Sequence, residues 1–231
     1  MPELAEVETV VRTLRPRVVG RAVERVRLIR GDVVRGDRSA AGLLSGARLE
    51  SIERHGKQLA LVGSRGGERR VLVVHLGMSG QLVHAPDASA CASLAHVHAM
   101  WTLRNDGGDR AGVMWFRDPR RFGGLWAVPS EGALRERWGL LGPDGLGVTG
   151  TELRERAGDS RRAVKGALLD QRVVAGVGNI YADEALFRAG VRPRRVCARL
   201  TGEEWETLAA SIREVLGRAI EMRGSTLRDY V

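Results

Sequence analysis

Gly139-Leu140-Leu141-Gly142-Pro143-Asp144-Gly145 divides this chain into two unlike parts. Three glycines and a proline in seven residues make a turn-rich connection with no periodicity of its own. Before it lie short β-like runs at Val23–Ile29, Leu49–Ile52, Leu59–Val62, Val71–Leu76, Val97–Leu103, Val113–Phe116 and Leu125–Val128, separated by breaks such as Gly63-Ser64-Arg65-Gly66-Gly67. Many short strands with turn signals predict a sandwich or barrel. After the break the pattern is helical. Thr201 with Glu204 makes a capping box, which opens a helix carrying Trp205, Leu208, Ile212, Val215, Leu216 and Ile220 on one face. Further helical stretches are predicted at Arg161–Asp170 and Ala182–Arg188. At the other end Leu4, Val7, Val11, Leu14 and Val18 recur at helical spacing, with Pro16 expected to bend the last turn. The fold class is therefore α+β: an N-terminal β-sandwich flanked by helices over 1–131, a linker over 132–146, and a helical domain over 147–231.

Bulk properties narrow the partner. The chain has 231 residues, 43% hydrophobic and 28% charged, with a net charge of +9 and a pI near 10.9. This balance points to a polyanion, most commonly nucleic acid; an arginine-rich composition alone is the other reading. No run approaches the ~20 apolar residues of a membrane span. Cys91 and Cys197 stand far apart, and His96-Val97-His98 adds no recognisable ligand spacing, so no metal site is expected. Two free thiols in a reducing cytoplasm are the simplest reading. Of 37 basic residues only Lys57 and Lys165 are lysine, which suggests a need for a compact ammonium at both places.

Chemistry is concentrated at the N-terminus, Met1-Pro2-Glu3-Leu4-Ala5-Glu6-Val7-Glu8. Removal of Met1 would leave Pro2 as a secondary amine. An α-amine titrates near ~7.7–8, so part of it is nucleophilic at neutral pH. Such an amine attacks a sugar or carbonyl carbon and forms an iminium, and Glu3 could move the proton. The same residues also suit a plain helix start.

Three further segments admit both a functional and a structural reading. His75-Leu76-Gly77-Met78-Ser79-Gly80 puts Met78 at a glycine-flanked tip, able to wedge into a base stack or to tuck into the core. Asp118-Pro119-Arg120-Arg121-Phe122-Gly123 reads as a hairpin loop. Its guanidinium groups and ring could contact phosphate and bases, or simply close a turn. Gln171–Tyr181 is a glycine loop feeding a helix, with Asn179 placed to cap it or to meet an anion. A packing turn between helices is the alternative there.

Together these segments, with Val177-Gly178-Asn179-Ile180-Tyr181-Ala182 and Gly224-Ser225-Thr226-Leu227-Arg228-Asp229-Tyr230, resemble the formamidopyrimidine-DNA glycosylase family, which includes endonuclease VIII. They occur in the family's order along essentially the whole chain, and the Met, Arg and Phe tips are similar to the formamidopyrimidine branch. The resemblance implies a helix-two-turn-helix in the second domain. It also implies a bifunctional glycosylase and AP lyase of base-excision repair that acts on 8-oxoguanine and formamidopyrimidines in double-stranded DNA. On this resemblance Pro2 is the nucleophile, Glu3 the acid, and Lys57 and Lys165 hold phosphate beside the lesion. Arg121, Asn179 and His96 would bind the DNA. Met78, Arg120 and Phe122 would fill the gap left by the flipped base, with Arg120 reading the orphaned cytosine. A monomer in the bacterial cytoplasm, associated with the nucleoid and not with a membrane, is the matching expectation.

The sequence departs from the family at Ala5, where a second proline is usual, at Ala95, where a lysine commonly precedes the His-x-His segment, and at Arg223, where glycine is usual. The family's zinc finger would follow the Gly224–Tyr230 loop, and the sequence ends at Val231. No cofactor is therefore expected in this chain. The competing expectation is a damaged-DNA-binding protein with little turnover. A small N-terminal-proline tautomerase would leave Met78, Arg120–Phe122 and the Gly-Asn turn unexplained.

Overall fold

The computed structural model describes residues 2–92 and 94–222. The Gly224–Tyr230 segment and Arg223 lie outside the described residues, as do Met1 and the Cys91 side chain. The elements in chain order are α1 (Leu4–Val18), β1 (Ala22–Leu28), β2 (Val34–Gly36), β3 (Arg48–His55), β4 (Gln58–Arg65), β5 (Glu68–His75), β6 (Gln81–Ala85), α2 (Ser89–Ala92), β7 (Val97–Arg104), β8 (Arg110–Arg117), β9 (Gly124–Val128), α3 (Glu131–Gly139), α4 (Gly150–Ala157), α5 (Val164–Leu168), α6 (Asn179–Arg188) and α7 (Gly202–Glu221). They fall into two compact units. One holds Pro2, Thr9–Arg54 and Gln58–Glu136; the other holds Glu3–Glu8, His55–Lys57 and the chain from Arg137 onward.

The first unit is built on a nine-stranded sheet in the order β2-β9-β5-β4-β3-β1-β7-β8-β6. β1 meets β3 where Ala22 pairs with Arg48, while it pairs with β7 from Ala22 to Leu28. One continuous sheet thus supplies both halves of the expected sandwich. β4 and β5 are buried without alternation over Leu59–Val62 and Val71–Val74, as strands covered on both faces must be. Their hairpin closes on Gly66 and Gly67, both at positive φ, the backbone a two-residue turn of this hand demands. Sequence periodicity missed β2 and β6, which are only three and five residues long. β8 is buried on both faces, with Val113 and Trp115 joining Val83 and Met100 in a small separate cluster.

Among the described residues the second unit has one helical core, centred on Trp205, Leu208, Ile212 and Leu216 of α7. The capping box of Thr201 and Glu204 forms, and a second one forms at Thr149 and Glu152 ahead of α4. Glu206 of α7 also accepts from the Gly150 and Thr151 amides, so one carboxylate ties α4 to α7. The helix expected over Arg161–Asp170 is confined to α5. Arg162 gives its carbonyl to the Cys197 amide, and Ala163 bridges Val196, so the residues before Val164 are committed elsewhere. α6 starts earlier than periodicity suggested, at Asn179. Between α5 and α6, Gln171 staples the turns. Its amide group donates to the Leu169 and Val177 carbonyls, and its side-chain oxygen accepts from the Gly176 amide at 2.9 Å. The architecture is α+β, with a helix, two turns and a helix in the second unit.

Candidate functional site

In the second unit the N-terminal segment is seated on the start of α6. Leu4 donates its amide to the Gly176 carbonyl at 3.0 Å, and its side chain fills the place a Cβ on Gly176 would take. This brings Glu3, 2% exposed, over the helix N-terminus. Its carboxylate accepts from the amides of Gly178 (2.7 Å), Ile180 (2.9 Å) and Tyr181 (3.4 Å). The first turn of a helix has amides without intrahelical partners. Here a carboxylate far away in sequence takes them. Asn179 is therefore not the cap: Gly178 is the N-cap residue, and Asn179 is the exposed first residue of α6.

Lys57 reaches the same place through its own anchors. His55 shares a 2.9 Å hydrogen bond with the Gly142 carbonyl, and the Gly56 amide donates to Asp144 at 2.9 Å. The buried Lys57 ammonium is pushed down by desolvation and held up by Glu3 and then Glu6. Glu3 is pushed above the usual carboxylate range by burial, against the opposing pull of the Ile180 amide, Lys57, and the Gly178 and Tyr181 amides. A buried acid with a raised pKa beside a cation is an arrangement that can deliver a proton. Two partners, Glu6 and Tyr181, were not singled out from sequence. Glu6, 4% exposed, accepts from the Tyr181 hydroxyl at 2.6 Å and from the Glu3 amide at 2.9 Å. Its position one turn after Glu3 was the only available signal. Lys165 is partly exposed and donates to Asp183 at 2.8 Å.

The remaining expected residues lie in the first unit. Pro2 is buried. Met78 is 39% and Phe122 59% exposed, so neither is tucked into the core. The Arg120 guanidinium lies 5.2 Å from the centre of the Phe122 ring. Arg121, at a φ of 55°, pairs with Asp32 at 3.3 Å. His96 is exposed with positive φ, whereas His98 is buried and donates to the Asp118 carbonyl at 2.9 Å. Residues 118–123 do not form a hairpin. β8 pairs with β6 and β7, and β9 with β5 and β2, so the segment crosses between the two halves of the sheet. Cys197 is a free, buried thiol. Among the described residues no three His, Cys, Asp or Glu side chains are grouped to hold a metal ion, and no helix is long and apolar enough to cross a membrane.

An acid seated on the helix after two turns, in a chain that opens with a β-rich unit, defines a helix-two-turn-helix protein. Two family models divide the sequence: the formamidopyrimidine-DNA glycosylase N-terminal domain matches residues 1–125, and the formamidopyrimidine-DNA glycosylase H2TH domain matches residues 141–231. A formamidopyrimidine-DNA glycosylase of Cupriavidus pinatubonensis is 43% identical over 241 residues, spanning 100% of this chain and 83% of the relative. One from Desulfitobacterium hafniense is 38% identical and is covered over 82% of its length. The MutM (Fpg) structure from Thermus thermophilus superposes with a TM-score of 0.82 at 40% identity, covering 99% of this chain and 80% of that one. The Lactococcus lactis Fpg in complex with FAPY-dG containing DNA gives 0.85 at 29% identity, covering 98% of this chain and 83% of that one. The chain belongs to the formamidopyrimidine-DNA glycosylase family.

Proposed function

We propose that this protein is a DNA glycosylase of base-excision repair that removes oxidised purines, 8-oxoguanine and formamidopyrimidines, and then cuts the abasic strand as a lyase. The observation that carries the reading is the Glu3 carboxyl, buried on the start of α6 with its pKa raised, and next in sequence to Pro2. The Lactococcus lactis relative is seen with FAPY-dG containing DNA, a lesion of the class proposed.

The damaged nucleotide is flipped out of the duplex, which exposes C1′. After loss of Met1, the Pro2 nitrogen attacks C1′, the glycosidic bond breaks, and the base departs with its bonding pair, taking up the proton that the alkylated Pro2 nitrogen loses. Glu3 gives its proton to the sugar ring oxygen as the C1′–O4′ bond opens, which leaves the iminium. The iminium acidifies C2′–H, and loss of that proton expels the 3′ phosphate. A second elimination expels the 5′ phosphate. Lys57 keeps positive charge beside Glu3, so its carboxylate form is stabilised once the proton has left. Lys165, Arg121, Asn179 and His96 hold the backbone. Met78, Arg120 and Phe122 occupy the vacated stack, and Arg120 donates to the orphaned cytosine.

The test is borohydride trapping on an 8-oxoguanine:cytosine duplex with protein whose loss of Met1 is verified by mass spectrometry. A covalent adduct with native protein, absent with Pro2→Gly and with undamaged duplex, is the expected result. Tight, salt-sensitive binding to damaged duplex without any adduct would overturn the enzymatic reading in favour of a damaged-DNA-binding protein.

A further inference from the structure

Two chain segments of the first unit cross between the halves of the sheet in opposite directions: 76–80 from β5 to β6, and 118–123 from β8 to β9. The first carries Met78; the second carries Arg120 and Phe122. They are bonded to each other through the side chains of Asp118 and Ser79. Asp118 is fully buried, and its carboxyl group accepts from the Ser79 hydroxyl at 2.6 Å, the Gly123 amide at 2.7 Å and the Arg120 amide at 3.3 Å. The Ser79 oxygen in turn accepts from the Arg120 amide at 3.1 Å. The Asp118 backbone is tied down as well, its carbonyl accepting from buried His98 and its amide donating to the His96 carbonyl.

The segments also touch backbone to backbone. A Cβ on Gly77, which sits at a φ of 63°, would collide with Phe122 and Gly123, coming within 2.8 Å of the Gly123 Cα. A Cβ on Gly123 would lie 2.6 Å from the His75 carbonyl oxygen. No side chain separates the two crossings, and neither can shift without breaking bonds to a buried carboxyl. An unsatisfied buried acceptor is costly, so the pair moves as one piece or not at all.

We propose that Asp118 and Ser79 are positioning residues that lock Met78, Arg120 and Phe122 into a single preformed wedge, so that reading of the opposite base by Arg120 depends on the loop carrying Met78. This rests on the reading above that these three tips fill the gap in the duplex. Tips on separate mobile loops would each lose conformational freedom on entering DNA, whereas a locked wedge has lost it beforehand.

The experiment is a double-mutant cycle. Single-turnover excision from an 8-oxoguanine:cytosine duplex is measured for Met78→Ala, Phe122→Ala and the double variant, in the native and Ser79→Ala backgrounds, together with the cytosine-over-adenine preference. In the native background the two truncations are expected to be non-additive; in Ser79→Ala they become additive. Loss of the hydroxyl is expected to lower excision and the cytosine preference by about tenfold, the effect of one hydrogen bond to a charged acceptor. Ser79→Thr restores both, and Asp118→Asn reproduces the loss. Trapping on a preformed abasic site, which needs no base to be flipped, is unchanged in Ser79→Ala and shows that the variant is folded. Non-additivity that survives Ser79→Ala and Asp118→Asn overturns the lock while leaving the glycosylase reading intact. Single truncations without effect on excision overturn the gap-filling reading, and the lock with it.

Discussion

Gly178→Ala separates the chemistry of Glu3 from its contribution to folding. Gly178 has an ordinary extended backbone, with φ at −122°, so alanine introduces no conformational strain. A Cβ there would lie 2.3 Å from the Glu3 carboxyl carbon and 2.5 and 2.7 Å from its two oxygens, against 3.4 Å for ordinary contact. The carboxyl group must therefore retreat by about 0.7–1.1 Å, the difference between those values. Retreat lengthens the 2.7 and 2.9 Å bonds from the Gly178 and Ile180 amides to the limit of hydrogen bonding. For stability this resembles the loss of a helix cap, a cost of about 0.5–2 kcal/mol, offset by about 0.4–1 kcal/mol from the less flexible unfolded chain. For catalysis the cost is larger, because a positioned acid contributes about 10²–10⁴-fold and a misplacement of about 1 Å forfeits about 10²-fold. Single-turnover excision from an 8-oxoguanine:cytosine duplex is expected to fall at least about 100-fold, about 2.7 kcal/mol of barrier, while thermal melting moves by only a few degrees. An excision rate within about threefold of native would show that Glu3 is not the acid, or that its seat on α6 is irrelevant to the reaction.

Four other outcomes follow from the geometry. Removing the Lys57 cation, which favours the Glu3 carboxylate form, lets Glu3 keep its proton to higher pH. In Lys57→Met the limb of the pH–rate profile set by that proton should move upward, and a downward move would contradict the pairing. Arg121→Ala should reduce the slope of log affinity against log salt by about 0.9, the value for one phosphate contact on duplex DNA; an unchanged slope removes Arg121 from the interface. Tyr181→Phe deletes the hydroxyl that donates to buried Glu6 at 2.6 Å, and should lower stability in urea by about 1–3 kcal/mol. An unchanged midpoint would mean that Glu6 finds another donor. Gly217 lies inside α7, and among the described residues nothing comes within 4 Å of a Cβ placed there. Gly217→Ala should therefore raise stability by up to about 1 kcal/mol, and a lower melting temperature would show that the site is occupied.

What the sequence reveals about this fold is what local periodicity carries. The spacing of Leu4, Val7, Val11, Leu14 and Val18 matches α1, and all five are buried. The Thr201–Glu204 box opens α7 because both partners lie within one turn. Pairing order has no such local signature. Residues 118–123 look like a hairpin because two β-like runs flank a proline-containing turn, yet their strands belong to opposite halves of the sheet. Asp118 likewise gave no sign of its burial, since its partners Ser79 and His98 arrive from the 76–80 crossing and from β7. The His-x-His spacing gave no clue to which histidine is buried: residues two apart share a face in a regular strand, and the two part here because His96 lies ahead of β7 at positive φ.

The Gly176–Tyr181 turn shows how a correct physical premise can lead to the wrong partner. Glycines feeding a helix expose amides and the positive end of the helix dipole, which together attract an anion. The anion seated there is the protein's own Glu3. A phosphate on those amides would compete with the acid, so on the proposed function the DNA backbone is met here by side chains such as Asn179 and Lys165, and Lys165 would exchange Asp183 for phosphate. The arrangement also bears on how a carboxyl in a residue only 2% exposed would ionise in the proposed reaction. Desolvation alone would hold the proton too tightly, while the amides and the Lys57 cation alone would hold the carboxylate too firmly. Burial has the largest influence, but the opposing amides and cation limit it, and an acid between those extremes suits the proposed transfer of a proton to a ring oxygen and its recovery in the next turnover.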